Sequence, residues 1–193
     1  MTTNLPTKTM NNTTYYRYDP DSDSFAGFAL QKRDYDVPNL HSKFESVSST
    51  WKPIVLEGFD DSPTVLGDFP SLVDRRRIPL FSEKAWSVFS KHLSGVAEAL
   101  PVTTTSGIRL LLIHVYKPVD ALIEENCSFD RFSDGGIRRI KEFCFNSTKL
   151  DTSMIIKLPA KLGGDLLVSD RFREIAIKNE LHGLNFVEVS QTD

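Results

Sequence analysis

The chain has 193 residues, about 40% of them apolar, with 23 basic and 26 acidic side chains and a formal charge of −3. That length supports one sizeable core or two small lobes, one compact unit being the default, and the near-neutral balance argues against a nucleic-acid partner. No apolar run approaches the roughly 20 residues that cross a bilayer, and MTTNLPTKTMNNTTYY lacks the apolar core of a signal peptide.

Residues 1–14 are rich in Thr and Asn with little to bury, which predicts a loose tail, with the folded chain beginning at Tyr15. YYRY has the aromatic content of a strand, and Asp19 to Ser24 (DPDSDS) is turn chemistry. The acids there fall short of a calcium loop, because the glycine at the sixth position is missing and Leu30 stands where a glutamate is needed. From Phe25 to Leu80 five prolines interrupt every periodic run, so short strands and loops are expected, with Trp51 and Pro53–Phe59 forming one half-buried strand. Asp74 to Arg77 (DRRR) reads as a solvated turn.

FSEKAWSVFSKHLSG predicts the first helix, Ser82 to Leu93: Ser82 caps it, Glu83 sits in the first turn, Ala85, Trp86, Phe89 and Leu93 form an apolar stripe, and Gly95 ends it. Gly107 to Tyr116 is apolar enough for a central strand, on which His114 shares a face with Leu110 and Leu112 as a hydrogen-bonded core histidine. Val119 to Gly136 reads as an acidic connection closed by a Gly-Gly turn, and IRRIKEFCF, SMIIKLP and DLLVS read as strands. Ser169 then caps a helix from Asp170 to His182, with Phe172, Ile175 and Ala176 inward, Glu174 and Lys178 able to pair outside, and Gly183 as its left-handed stop. LNFVEV is the last strand expected.

Reaction signatures are absent from the sequence. There is no G-x-S-x-G elbow, LGGD lacks the Lys and Ser/Thr of a phosphate loop, and His41, His92, His114 and His182 are widely spaced, as are Cys127 and Cys144. Two such cysteines fit reduced packing thiols in a cytoplasm. Glu124 and Glu125 are adjacent, which in extended backbone points them to opposite faces, so a paired-carboxylate site is not expected there.

The order of segments carries more information than any one of them. PLFSEKAWSVFSKHL, ALPV, VDALIEENCSFDRFSDGGIRRIKEFCF, IIKLPA and LLVSDRFREIAIKNELHGLNFVEV together resemble a bacterial family of polymorphic-toxin immunity proteins, immunity-protein family eleven, over residues 51–189. The resemblance implies a cytoplasmic antidote encoded beside a secreted toxin, which it neutralises by occluding or distorting the active site, with no activity, cofactor or metal of its own. Residues matching the family pattern are Ser82, Asp120, Leu122, Lys157, Pro159, Ser169, Asp170, Phe172, Gly183 and Phe186, expected as caps, turns and core; Trp86 joins them as a core anchor, and Ile123 departs from the pattern.

These readings combine into one α+β domain over residues 15–190, with a mixed or mainly antiparallel sheet and at least two packed helices. The expected partner is a toxin protein, with no nucleic acid and no membrane, and a homodimer is possible. The toxin contacts are expected in two loop segments: Asp60 and Asp61 in the proline-rich region, and Glu124, Glu125, Asp130 and Asp134 in the acidic connection. The competing expectations are an enzyme that reverses a toxin's modification and a secretion adaptor or chaperone.

Overall fold

In the computed structural model the described residues are 13–31, 37–40, 42–75, 78–150, 153–159, 162 and 164–192. Within them the chain forms three sheets and two principal helices, an α+β architecture dominated by strands. Most of the predicted tail lies outside the described residues. Its end is held, since the Thr14 carbonyl accepts the Asp170 N–H at 2.8 Å.

The largest sheet has six strands in the order β4-β2-β3-β6-β7-β5, formed by β2 (Gly27–Leu30), β3 (Ile54–Gly58), β4 (Ser71–Leu72), β5 (Leu80–Phe81), β6 (Ala97–Thr104) and β7 (Arg109–Val115). Its pairings are antiparallel except β2 with β4 and β3 with β6, so the sheet is mixed. A four-stranded antiparallel sheet runs β10-β11-β1-β12, from β1 (Tyr15–Pro20), β10 (Ile155–Lys157), β11 (Leu166–Ser169) and β12 (Leu184–Glu188). The third sheet, β13-β9-β8, contains β8 (Ser128–Arg131), β9 (Ile137–Cys144) and β13 (Ser190–Thr192).

Strand alternation divides these sheets among three cores. On β11, Leu166 and Val168 enter the core shared with β7, while Leu167 enters a different one with Tyr15, Ile140, Phe143 and Ile156. On β7, Ile113 and Val115 join the shared core, while Leu110 and Leu112 join Leu56, Leu100 and Val102 beneath a short helix α1 (Val37–Leu40). The inner strands of the two larger sheets therefore contribute to cores on both faces.

Helices α2 (Glu83–Phe89) and α4 (Asp170–Lys178) pack in the shared core, and α3 (Ser147–Leu150) is a single turn. Both predicted caps are present: Ser82 Oγ accepts the Ala85 N–H at 3.0 Å and Ser169 Oγ accepts the Phe172 N–H at 3.4 Å. Phe89 and Phe172 stack between the helices with centroids 4.0 Å apart. Trp86, expected as a core anchor, is only partly buried, because α2 turns Ala85 and Phe89 inward instead.

Several boundaries differ from the sequence reading. Helix α2 stops at Phe89, and the chain reaches the fully buried Leu93 through turns, with the Phe89 carbonyl accepting the N–H groups of His92 and Leu93. Helix α4 ends at Lys178 rather than near His182. Glu180, at φ 51°, takes the left-handed position, and the Glu180 and Leu181 N–H groups bond the Ile177 and Ala176 carbonyls, so the stop precedes Gly183. Glu174 and Lys178 are exposed and form no ion pair with each other.

Ser128–Arg131, expected as connection, is a strand of a hairpin with β9, and LNFVEV is followed by β13. Strand β6 is an addition to the reading. Its Pro101 is tolerated because the Thr104 and Tyr116 bonds aim the N–H groups of even-numbered residues at β7, so proline lacks one only on the β3 side, where β3 begins opposite Val102. Among the described residues no helix is long and apolar enough to cross a membrane.

Candidate functional site

Among the described residues, polar groups from distant parts of the chain meet at a buried centre and at an open cleft, among other places. The buried one centres on Lys157, the last residue of β10, which is 4% exposed. Its ammonium donates to the carbonyls of Leu40 at 3.1 Å, Lys43 at 3.0 Å and Val115 at 2.9 Å, and lies 4.9 Å from the Phe44 ring centroid. Three carbonyl partners match the three N–H bonds of an ammonium. Burial pushes its pKa down from 10.5 to about 8.

His114 completes this arrangement from β7. Its Nε2 donates to the Lys43 carbonyl at 3.2 Å and its Nδ1 meets Glu98 Oε1 at 2.9 Å. Glu98 on β6 also accepts the Val47 N–H at 2.7 Å and the Ser46 hydroxyl at 2.5 Å. Burial alone would raise the Glu98 pKa, but the hydrogen bonds from His114, Ser46 and Val47 outweigh it and lower the pKa. The cavity beside Lys157 and His114 is about 10 Å³, at the lower limit for a single water. With both ring nitrogens engaged and no room for a substrate, the group fastens Leu40, Lys43, Ser46, Val47 and Ser48 onto the sheets.

The open place lies where β3 ends beside the β6–β7 turn, a cleft of about 760 Å³ lined by Glu57, Phe59, Asp60, Asp61, Thr105 and Ser106. After Gly58 the chain turns sharply. The Phe59 N–H donates to the Gly27 carbonyl, and the Ser62 N–H and hydroxyl both donate back to the Phe59 carbonyl. Across the cleft, Thr104 Oγ1 accepts the Ile108 N–H and Gly107 takes φ 85°, which holds Thr105 and Ser106 at the turn.

Glu57, Asp60 and Asp61 are exposed, and none has an ion-pair partner among the described residues. Phe59 is 40% exposed, with Val65 at 59% and Leu66 at 42% farther along the same loop. An acidic opening with apolar side chains in the adjoining loop attracts basic groups and offers them contact area.

The structure separates the predicted toxin-contact residues. Asp60 and Asp61 line this cleft. Glu124 and Glu125 lie in a one-turn helix that leads into β8, where adjacent residues do not point to strictly opposite faces. Asp130 pairs with Arg139 at 3.2 Å, and Asp134 accepts the Gly136 N–H inside the hairpin turn. Arg131, Arg138, Arg139 and Lys141 are exposed around them, so the predicted acidic patch is mixed in charge.

Among the residues matching the family pattern, Asp120 is exposed and pairs with Lys149, Leu122 bridges to Phe145, the Pro159 carbonyl accepts turn bonds from Leu162 and Gly164, Gly183 has φ 100°, and Phe186 is partly buried. Cys127 and Cys144, distant in sequence, are neighbours, with Cys127 Sγ accepting the Cys144 N–H at 3.4 Å; both thiols are free, and burial raises the Cys127 pKa.

Glu57, Phe59 and Glu98 escaped the sequence reading. In IVLEG the outward position of Glu57 follows from strand alternation, but nothing local marks Glu98 as the partner of a histidine 16 positions later. His41 lies outside the described residues. Among the described residues no group of three His, Cys, Asp or Glu side chains is arranged to hold a metal. Neither a scan against protein-family models nor a search of curated proteins found a match to this chain.

Proposed function

We propose that this protein is an immunity protein, which binds a cognate bacterial toxin in the cytoplasm of the producing cell and occludes or distorts its active site without a cofactor. The observation that carries the reading is the cleft beside β3, where Glu57, Asp60 and Asp61 have no ion-pair partner among the described residues and lie next to the exposed Phe59. Such a surface suits a partner that brings Arg or Lys with an apolar anchor, the usual chemistry of a tight protein interface. The segment order from PLFSEKAWSVFSKHL to HGLNFVEV supports the same reading. So does the scaffold, in which both cleft loops are held by backbone and hydroxyl bonds and need little ordering on binding.

The test is co-purification with the toxin encoded beside this gene, together with rescue of growth when both are expressed. The double substitution Asp60→Lys, Asp61→Lys is expected to abolish binding and protection together. Absence of both binding and rescue for the unaltered protein overturns the proposal. If Glu57→Gln abolishes protection while binding persists, the protein acts by chemistry instead.

A further inference from the structure

Strand β12 ends the four-stranded sheet, and among the described residues no strand pairs with its outer edge. The bonds from Asp21 N–H to the Gly183 carbonyl and from Val189 N–H to the Tyr15 carbonyl fix the pairing phase with β1. Asn185 and Val187 therefore spend their backbone groups on β1, while those of Leu184, Phe186 and Glu188 point away from the sheet. None of these outward groups has a hydrogen-bond partner among the described residues. The other sheet edges among the described residues are shorter or irregular: β4 and β5 are two residues long, β13 is three, β10 is buried, and β8 carries two register irregularities. β12 has five regular residues, no proline or lysine, and a Val187 that is 47% exposed.

We infer that β12 pairs antiparallel with β12 of a second copy, across a two-fold axis at Phe186, joining the two four-stranded sheets into one. Self-complementarity selects this occupant. In that register Phe186 faces its counterpart and Leu184 faces Glu188 of the other copy, so each outward N–H meets a carbonyl. Two Glu188 side chains are then four residues apart along the ladder, about 14 Å at 3.4 Å per residue, which removes the like-charge contact.

Charge supports the same register. Arg173 on α4 lies over the rings of Tyr16 and Phe186, at 5.6 and 5.8 Å. Neither Arg173 nor Glu188 has an ion-pair partner among the described residues. The two-fold brings Glu188 diagonal to Phe186 of the other copy, on the face that Arg173 covers, and pairs carboxylate with guanidinium twice.

The experiment is sedimentation of the full-length chain across a concentration series. A reversible dimer is expected, with Glu188→Arg and Arg173→Glu each weakening it at least about tenfold, and the double substitution Glu188→Arg, Arg173→Glu restoring it. Both side chains are exposed, so circular dichroism of each variant should match the unaltered protein. A chain that stays monomeric at about 100 μM, or a dimer that neither single substitution weakens, overturns the inference. Because no toxin is present, this result is independent of the binding function proposed above.

Discussion

Lys157 occupies a position where the six-stranded sheet lacks a strand. β5 covers only Leu111 and Leu112 of β7, so the Val115 carbonyl points past its end, and the Lys157 ammonium from the neighbouring sheet supplies the missing donor. Lys157→Met keeps the apolar stem but leaves that carbonyl unsatisfied and releases the Leu40 and Lys43 carbonyls, an expected loss of about 2–4 kcal/mol in urea denaturation. The pH dependence has a definite sign. Between about 8 and 10.5 the folded chain holds fewer protons on Lys157 than the unfolded chain, so stability from this group rises with pH there and is flat below it.

Glu98 works in the opposite range. Its folded pKa lies below the ordinary 4.5, so its contribution is complete above that value and is lost as pH falls through the folded pKa. In denaturation series from pH 6 to 3, Glu98→Gln is expected to show a shallower decline than the unaltered protein; equal slopes would assign the acid sensitivity elsewhere. None of this was legible in the sequence beyond the placing of His114 in a core, because Glu98, His114 and Lys157 meet only through pairing of three separate strands.

At the scale of elements, the Phe89–Phe172 stack joins the only two helices longer than a single turn among the described residues. Phe172→Ala should cost about 3–5 kcal/mol, and Trp86→Ala distinctly less because Trp86 is only partly buried, an order that thermal denaturation of both variants checks. The caps at Ser82 and Ser169 were readable because a hydroxyl three residues before an N–H is a local signal.

The end of α4 was not, because a glutamate holds the left-handed position that usually carries glycine. Glu180→Gly should therefore stabilise the protein by about 0.5–1 kcal/mol, provided the Glu180 carbonyl keeps its bond to Lys84. Strand β6 was illegible for a related reason. AEAL has helical propensity and Pro101 looks like a break, and only the late start of β3 makes that proline harmless.

At the scale of the molecule, cores on both faces of the inner strands leave, among the described residues, the loops, the hairpin and the edge of β12 open to other molecules. The sequence marked two acidic loops as equals. It could not register that the strand after one of them sets Arg138, Arg139 and Lys141 beside it, whereas Glu57, Asp60 and Asp61 have no ion-pair partner among the described residues. This contrast has a measurable consequence under the binding function proposed above. Unpaired exposed acids accelerate encounter with a basic partner through a field that salt screens over about 10 Å at 0.1 M. Association with the cognate toxin, followed by stopped flow, should slow by roughly an order of magnitude between about 0.05 and 0.5 M NaCl. Asp60→Asn, Asp61→Asn should remove most of that dependence, and Glu124→Gln, Glu125→Gln should leave it nearly intact. Were the second pair of substitutions the one that flattened the salt response, the partner would be meeting the hairpin side of the molecule, and the cleft would be surface without a role in encounter.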